Sequence, residues 1–382
     1  MKKLLVLVLT LALVFSMFAC ATPAPAAEAT EAPAAATEAP AEATEAPAAA
    51  PLYIPVISKG FQHKFWQTVM LGSQDAAAKY GVEITFDGPP SESDISVQVD
   101  MLNAAMAKKP AALCLAALDT ESVTEQLQAC KDAGIPVIGF DSGVPNAPEG
   151  SIISTASTDN TAAGALAAGK VFAIESVAAA VAAATKDAPI VIAVISQDAT
   201  SASITGRTTG FVDEMFKLCD AAQPGLVSVT GHDKWNKASS SGDTAVEILV
   251  SIAATTSVTD CQAAAQAVIQ KAPVAVFCTN SGSVDGMLAA TADGSDLDRT
   301  NGRYKDMVVV GFDSGATLLN AIRNQWFFGA VTQDPYMIGY YAVELAYKAI
   351  QGESIPAMVD TGCQFYTVEN MDDPDIAKLL YD

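Results

Sequence analysis

Basic side chains are scarce. The 382-residue chain carries 21 Lys and Arg against 43 Asp and Glu, a formal net charge of −22. Phosphate recognition needs clustered Lys and Arg, so nucleic acid is not an expected partner. An anionic membrane surface is disfavoured on the same ground, except through a covalent lipid anchor. Histidine is almost missing: His63 and His232 are the only two, which argues against a His-based zinc site. Six cysteines follow Cys20, at positions 114, 130, 219, 261, 278 and 363, too few and too scattered for a disulfide framework. Cys114 and Cys278 lie in apolar runs and read as buried small hydrophobes, while Cys219 with Cys261 stays open as one candidate bridge. Metal-ligand motifs, nucleophile elbows and phosphate loops are all absent, so neither a metal nor a cofactor is expected.

Long apolar runs are also lacking. Residues 4–18 are fifteen uncharged, mostly apolar residues after Met1-Lys2-Lys3, too short at about 1.5 Å per residue to cross a bilayer core comfortably. They read as an export signal. The run ends at Phe18-Ala19-Cys20, which resembles a bacterial lipobox with Cys20 as the lipidated residue; ordinary cleavage near Ala19 or Ala21 is the alternative. Residues 21–51 contain only Ala, Thr, Glu and Pro, with six prolines, and read as a disordered tether. The Ala-rich stretch 162–184 is interrupted by Lys170 and Glu175 and reads as a packing helix, not a membrane span.

From Leu52 onward the chain is rich in what the leader lacks. Strand patterns fall at 53–58, 82–87, 111–118, 136–141, 152–155, 190–196, 226–230, 274–279, 307–313 and 328–333. Helical patterns fall at 67–80, 123–133, 160–184, 204–219, 263–271 and 337–351. Strands apolar on both faces, separated by helices, indicate an α/β protein with doubly wound parallel sheets. The pattern is written twice. Val56-Ile57-Ser58 is echoed by Val194-Ile195-Ser196, and Gly139-Phe140-Asp141-Ser142-Gly143 recurs unchanged as Gly311-Phe312-Asp313-Ser314-Gly315. The interval between these landmarks is longer in the second half, which predicts insertions around 239–260. Ligands bind beyond the carboxyl ends of strands in such sheets, so Asp141 and Asp313 are expected on opposite walls of one cleft. The following glycines are expected to allow the sharp turn and leave the carboxylates exposed. Phe65 and Trp66, after the first strand, offer an apolar wall suited to the C–H faces of a sugar ring, or pack beneath the first helix. Asn280 and Gln333 stand at further strand ends, and amides and carboxylates suit paired hydroxyls.

These motifs resemble the type I periplasmic sugar-binding proteins, the ribose-binding-protein-like group of ABC importers. The resemblance runs over 52–382. It is carried by Ser58 with Phe65-Trp66, by Gly-Ile-Pro-Val-Ile-Gly-Phe-Asp at 134–141, and by Ser-Thr-Asp-Asn at 157–160. It continues in Thr200-Ser201 with Arg207 and Gly210-Phe211, Val276-Phe277 with Thr279-Asn280, Val-Val-Gly-Phe-Asp at 309–313, and Thr332-Gln333-Asp334-Pro335 with Gly339. By position it implies Ser58, Phe65, Trp66 and Asp141 as contacts from the first lobe. Arg207, Asn280, Asp313 and Gln333 follow from the second lobe or hinge, with Trp235 a candidate second-lobe aromatic. Lys59 lies in the loop before the aromatics, with His63. Ser142 stands where ribose binders carry Arg, and Ala116-Ala117 where they carry Asn, implying a ligand other than ribose.

The implied fold is two similar doubly wound lobes joined by a three-strand hinge, with crossings near Ala156, Gln333 and Gly362. Lobe 1 would comprise 52–156 with 334–361, and lobe 2 157–333 with 362–382. The implied function is capture of a monosaccharide or polyol and delivery to ABC permease subunits by an exported, lipid-tethered monomer. A ligand sensor docking to a chemotaxis or signalling receptor shares this fold. So does a binder of nucleosides or amino acids, for which Arg207 or Lys59 would meet a carboxylate. Paired carboxylates also equip glycosidases, but nothing else in the sequence supports an enzyme.

Overall fold

The computed structural model describes residues 51–61 and 63–382. The expected signal, the lipobox at Cys20 and all of the tether except Pro51 lie outside these residues. In the first half, β1 (Tyr53–Ile57), α1 (Lys64–Tyr80), β2 (Glu83–Asp87), α2 (Ile95–Ala107), β3 (Leu113–Leu115), α3 (Thr124–Asp132), β4 (Val137–Phe140) and β5 (Ser154–Ser157) alternate strand and helix. The second half holds α4 (Asn160–Phe172), α5 (Glu175–Ala183), β6 (Ile190–Ser196), α6 (Ala202–Ala222), β7 (Val227–Thr230) and β8 (Val246–Ile252). It continues with α7 (Val258–Ile269), β9 (Ala275–Cys278), α8 (Ser281–Ala290), β10 (Val308–Phe312), α9 (Ala316–Arg323) and β11 (Gly329–Gln333). Then α10 (Pro335–Ile350) and β12 (Met358–Asp360) precede β13 (Cys363–Tyr366).

Two sheets result, ordered β12-β5-β4-β3-β1-β2 and β13-β11-β10-β9-β6-β8-β7. The first is parallel throughout, and the second is parallel except where β13 runs against β11. The orders superimpose element for element except for β7, an added edge strand. The extra length of the second half therefore lies between α6 and β8, and the expected insertion at 239–260 is corrected: its middle is β8, paired in register with β6 from Ile190–Val246 to Ser196–Ile252, and its end opens α7. The helix expected over 160–184 breaks where Ile174 turns extended and packs on the core, leaving α4 and α5 bent by 79°.

Each strand feeds two cores, because successive side chains point to opposite faces. Ile54 and Val56 of β1 join Cys114 and Ala116 under α1 and α10, while Ile57 joins Leu113 and Leu115 under α2 and α3. In the second sheet Ile192 and Val194 face α4 and α6, and Ala193 and Ile195 face α7 and α8. The candidate bridge between Cys219 and Cys261 is not formed: both are free, and they occupy cores on opposite faces of this sheet. Among the described residues no single helix is long and apolar enough to cross a membrane.

The chain crosses between the sheets three times, after β5, after β11 and after β12. Thr158 Oγ1 donates to Gln333 Oε1 at 2.9 Å, and the Asp159 amide donates to Asp360 Oδ1 at 3.0 Å. The three crossings are thereby tied into one hinge.

Candidate functional site

Most groups at the centre of the molecule follow the carboxyl ends of strands, while Ile204 and Arg207 come from α6. The loop after β1 supplies Lys59 and His63, and the first turn of α1 supplies Phe65 and Trp66; the loop after β2 supplies Glu92; Asp141 follows β4 and Gln197 follows β6. Asn280 follows β9, Asp313 follows β10, and Gln333 ends β11. Lys59, His63, Phe65, Trp66, Glu92 and Asp141 line a central cavity from one sheet, and Ile204, Arg207, Asn280, Asp313 and Gln333 from the other sheet and the hinge.

Asp141 and Asp313 are held by the same local device. Both have positive φ, 52° and 77°, and both amides are pinned to the neighbouring strand, on Ala156 O at 2.9 Å and Val331 O at 2.7 Å. A non-glycine residue in this region costs about 1–3 kcal/mol, which persists only where surrounding structure over-determines it. The expectation that the glycines absorb the turn is corrected in part: the aspartates themselves do, with only Gly315 of the two following glycines at positive φ. Nor are the carboxylates exposed, at 3% and 5%.

The polar groups are extensively cross-linked. Asp313 Oδ1 accepts from Gln333 Nε2 at 2.8 Å, and its Oδ2 accepts from the Ser281 amide and hydroxyl, each at 3.2 Å. Arg207 donates to Asn160 Oδ1 at 2.8 Å and to the Thr279 carbonyl at 3.1 Å, with its guanidinium over the Phe312 ring at 3.8 Å. Asn280 caps α8 through Ser283 and donates to Gln197 Oε1 at 2.6 Å. Lys59 Nζ donates to Ser203 Oγ at 3.0 Å and lies 3.4 Å from Asp141 Oδ2, which takes no hydrogen bond from the protein. Burial alone would lower the Lys59 pKa, but Asp141, Glu92 and Asp198 around it reverse the sign and hold the ammonium charged. Burial pushes the Asp141 carboxyl up, and Lys59 and Arg207 offset only part of that.

Phe65 and Trp66 meet edge to face, centroids 4.9 Å apart, and Trp66 meets Phe140 the same way. Both are buried beneath α1 and both line the cavity, so the two alternatives for this pair coincide. Two expected contacts fall elsewhere. Ser58 Oγ donates to the carbonyls of Gly60 and Asp87, fastening the β1 loop to β2. Trp235 donates to Thr209 Oγ1 and lines a separate hollow beside α6, because its side chain covers the core of the second lobe.

Three site residues escaped the sequence reading: Glu92, Gln197 and Ile204. Glu92 accepts from Trp66 Nε1 at 2.8 Å and from Gln197 Nε2 at 2.9 Å, so it joins the aromatic wall of one lobe to the other. Its signal was the loop after β2, a strand end like the rest. Gly88 folds that loop onto the β1 loop so closely that a Cβ would lie 2.3 Å from Ser58 Oγ. Burial works against the charge of Glu92, but Lys59, His63 and the two donors outweigh it and hold the carboxyl below its usual value.

Residues 54–354 match the family described as periplasmic binding protein domain. The chain belongs to this family. Among solved structures, a protein described as an ABC transporter, LacI family transcriptional regulator from Brachyspira murdochii is 40% identical, covering 87% of this chain and 99% of its own, with a TM-score of 0.71. A carbohydrate transporter solute-binding protein from Agrobacterium radiobacter, in complex with D-arabinose, is 28% identical over 87% of this chain and 100% of its own, TM-score 0.68. An ABC transporter solute-binding protein from Agrobacterium vitis, with bound D-fucose, is 25% identical over 86% and 100%, TM-score 0.70. A comparison with curated proteins returns no match. In this family's terms the chain is a two-lobed α/β binding protein whose central cavity lies between its sheets.

Proposed function

We propose that this chain is an extracytoplasmic solute-binding protein that captures a monosaccharide or polyol between its lobes and delivers it to an ABC importer. The observation that carries the reading is the pairing of Asp141 and Asp313, from matched strand ends of two sheets, in one cavity with Phe65 and Trp66. Such a set offers acceptors for vicinal hydroxyls and an apolar face for ring C–H groups. The sugars in the two Agrobacterium structures support it. We take Lys59, Phe65, Trp66, Glu92, Asp141, Arg207, Asn280, Asp313 and Gln333 as the ligand set.

An amino-acid ligand is a weaker fit. Lys59 is paired with Asp141, Arg207 is engaged by Asn160 and Thr279, and the carboxylates outnumber the cations. The protein works by binding and closure, not by chemistry. The central cavity is only about 20 Å³, room for a single water and far below the roughly 300 Å³ where ligand pockets begin. A sugar therefore enters with the lobes apart, and closure replaces lobe–lobe contacts with lobe–ligand contacts. Export on the leader, lipidation at Cys20, lobes at 52–156 with 334–361 and 157–333 with 362–382, and a monomer docking to permease subunits complete the proposal. A thermal-shift screen against pentoses, hexoses, polyols, nucleosides and amino acids tests it. A rise in melting temperature with one sugar or polyol class is expected. A response confined to nucleosides or amino acids would overturn it.

A further inference from the structure

A second cavity at the lobe boundary is far larger than the central one. A chamber of about 420 Å³ lies on the hinge side, walled by the end of β4, by β5 and the first crossing, by β12, and by the N-terminal turn of α6. That volume is ligand-sized, whereas the central cavity at about 20 Å³ is not. The two spaces share one residue, Asp141. Between them stands the Lys59–Ser203 contact, with Lys59 bordering the central cavity and Ser203 the chamber.

Asp141 is 3% exposed, and its Oδ2 accepts no hydrogen bond from the protein. Lys59 Nζ neutralises it from 3.4 Å but leaves its acceptor capacity unused. Beyond it the chamber is lined by apolar Val144, with exposed Pro145, Met358 and the hydroxyl-bearing Thr161 at its rim. Asp159 and Asp360 close the hinge wall, so an anionic group would face three carboxylates. A neutral polyhydroxylated ring meets acceptors and an apolar surface instead. Past Thr161 and Gly206 the chamber borders a second hollow of about 330 Å³, which leaves an exit for a longer chain.

We propose that this chamber is a second sugar subsite, taking the next residue of a glycoside whose first ring occupies the central site, with Asp141 bonded to the ligand where the two subsites meet. The inference rests on the sugar-binding reading and extends it from a monosaccharide to a short oligosaccharide. Opening the lobes separates Lys59 from Ser203, and a glycoside then runs through the gap.

Titration calorimetry on the purified protein tests it, with D-galactose, D-glucose, D-xylose and L-arabinose against lactose, melibiose, cellobiose and xylobiose as probes. The expected result is a disaccharide that binds at least about tenfold more tightly than its own monosaccharides. Thr161→Trp, at an exposed rim position, should remove that advantage and leave monosaccharide affinity within about twofold. Met358→Trp, on the exposed strand β12, provides a second block should the first variant fold poorly. Monosaccharides binding as well as every disaccharide, or both variants weakening the two classes equally, overturns the subsite and leaves the sugar-binding reading standing. No binding of any sugar, mono- or disaccharide, overturns both.

Discussion

Glu92 shows what a single carboxylate does in this site. It accepts from Trp66 in one lobe and from Gln197 in the other, and its pKa is held below the ordinary 4.5. An acid whose folded pKa is depressed contributes stability that is present above the unfolded value and lost as pH falls through the folded one. Glu92→Gln should therefore destabilise the protein at neutral pH, by about 1–3 kcal/mol, and the gap to wild type should shrink near pH 3.5. Denaturant unfolding of both proteins at the two pH values checks this; an equal gap at both would contradict it. Residue-level legibility was uneven. Asp141, Asp313, Asn280 and Gln333 could be read because each follows an apolar strand, where the fold class itself says ligands bind. Glu92 also follows a strand, but its place at the centre depends on the Gly88 loop folding across to Ser58, a contact between segments that no periodicity encodes. The resemblance makes Trp235 a candidate ligand aromatic by position, but position alone does not say whether an indole faces a cleft or, as here, covers a core.

At the scale of elements, a matched close helix pair clamps each lobe. In the first lobe α1 and α10 cross at Gly72 and Gly339, where an added Cβ would lie 1.9 Å from the Tyr336 and Val69 carbonyl oxygens respectively. In the second lobe α4 and α6 cross at Gly164 and Gly210, with added Cβ atoms 2.1 Å from Arg207 O and 1.9 Å from Thr161 O. The repeat seen in the strand motifs thus extends to the helix packing. Gly339→Ala forces the pair apart and should cost about 1–3 kcal/mol, read as a lower denaturation midpoint. Gly164→Ala should weaken ligand binding as well, because the opposed backbone belongs to Arg207. An unchanged midpoint in Gly339→Ala would mean the helices do not rely on this approach. Element legibility followed the strength of the apolar pattern. The core strands were clear, but β12 and β13 are three and four residues long and partly polar, so only their pairing with β5 and β11 defines them. The strand β8, Val-Glu-Ile-Leu-Val-Ser-Ile, carried an ordinary strand signal that was masked by reading the longer interval as inserted loop.

For the whole molecule, direct contacts between the lobes include Lys59 and Ser142 with Ser203, Glu92 with Gln197, Ser93 with Thr256, and Thr200 with the Leu118 carbonyl. These neutral and charged hydrogen bonds are individually worth about 0.5–3 kcal/mol, so a ligand with comparable contacts to both lobes can shift the open–closed balance. Ser93 and Thr256, with hydroxyls 3.0 Å apart in the closed arrangement, report that balance. The double variant Ser93→Cys with Thr256→Cys should form its disulfide faster when a bound sugar holds the lobes together, measured as free-thiol loss over time. A rate indifferent to the sugar would contradict closure on binding.

In the proposed function Asp141 and Asp313 hold a sugar from two sides. Titration calorimetry of wild type, Asp141→Ala and Asp313→Ala with the sugar giving the largest thermal shift tests it most directly. Wild type should show one site per chain, and each variant should lose roughly one to two decades of affinity, as expected for a hydrogen bond to a charged group. Affinity unchanged in both variants would contradict it.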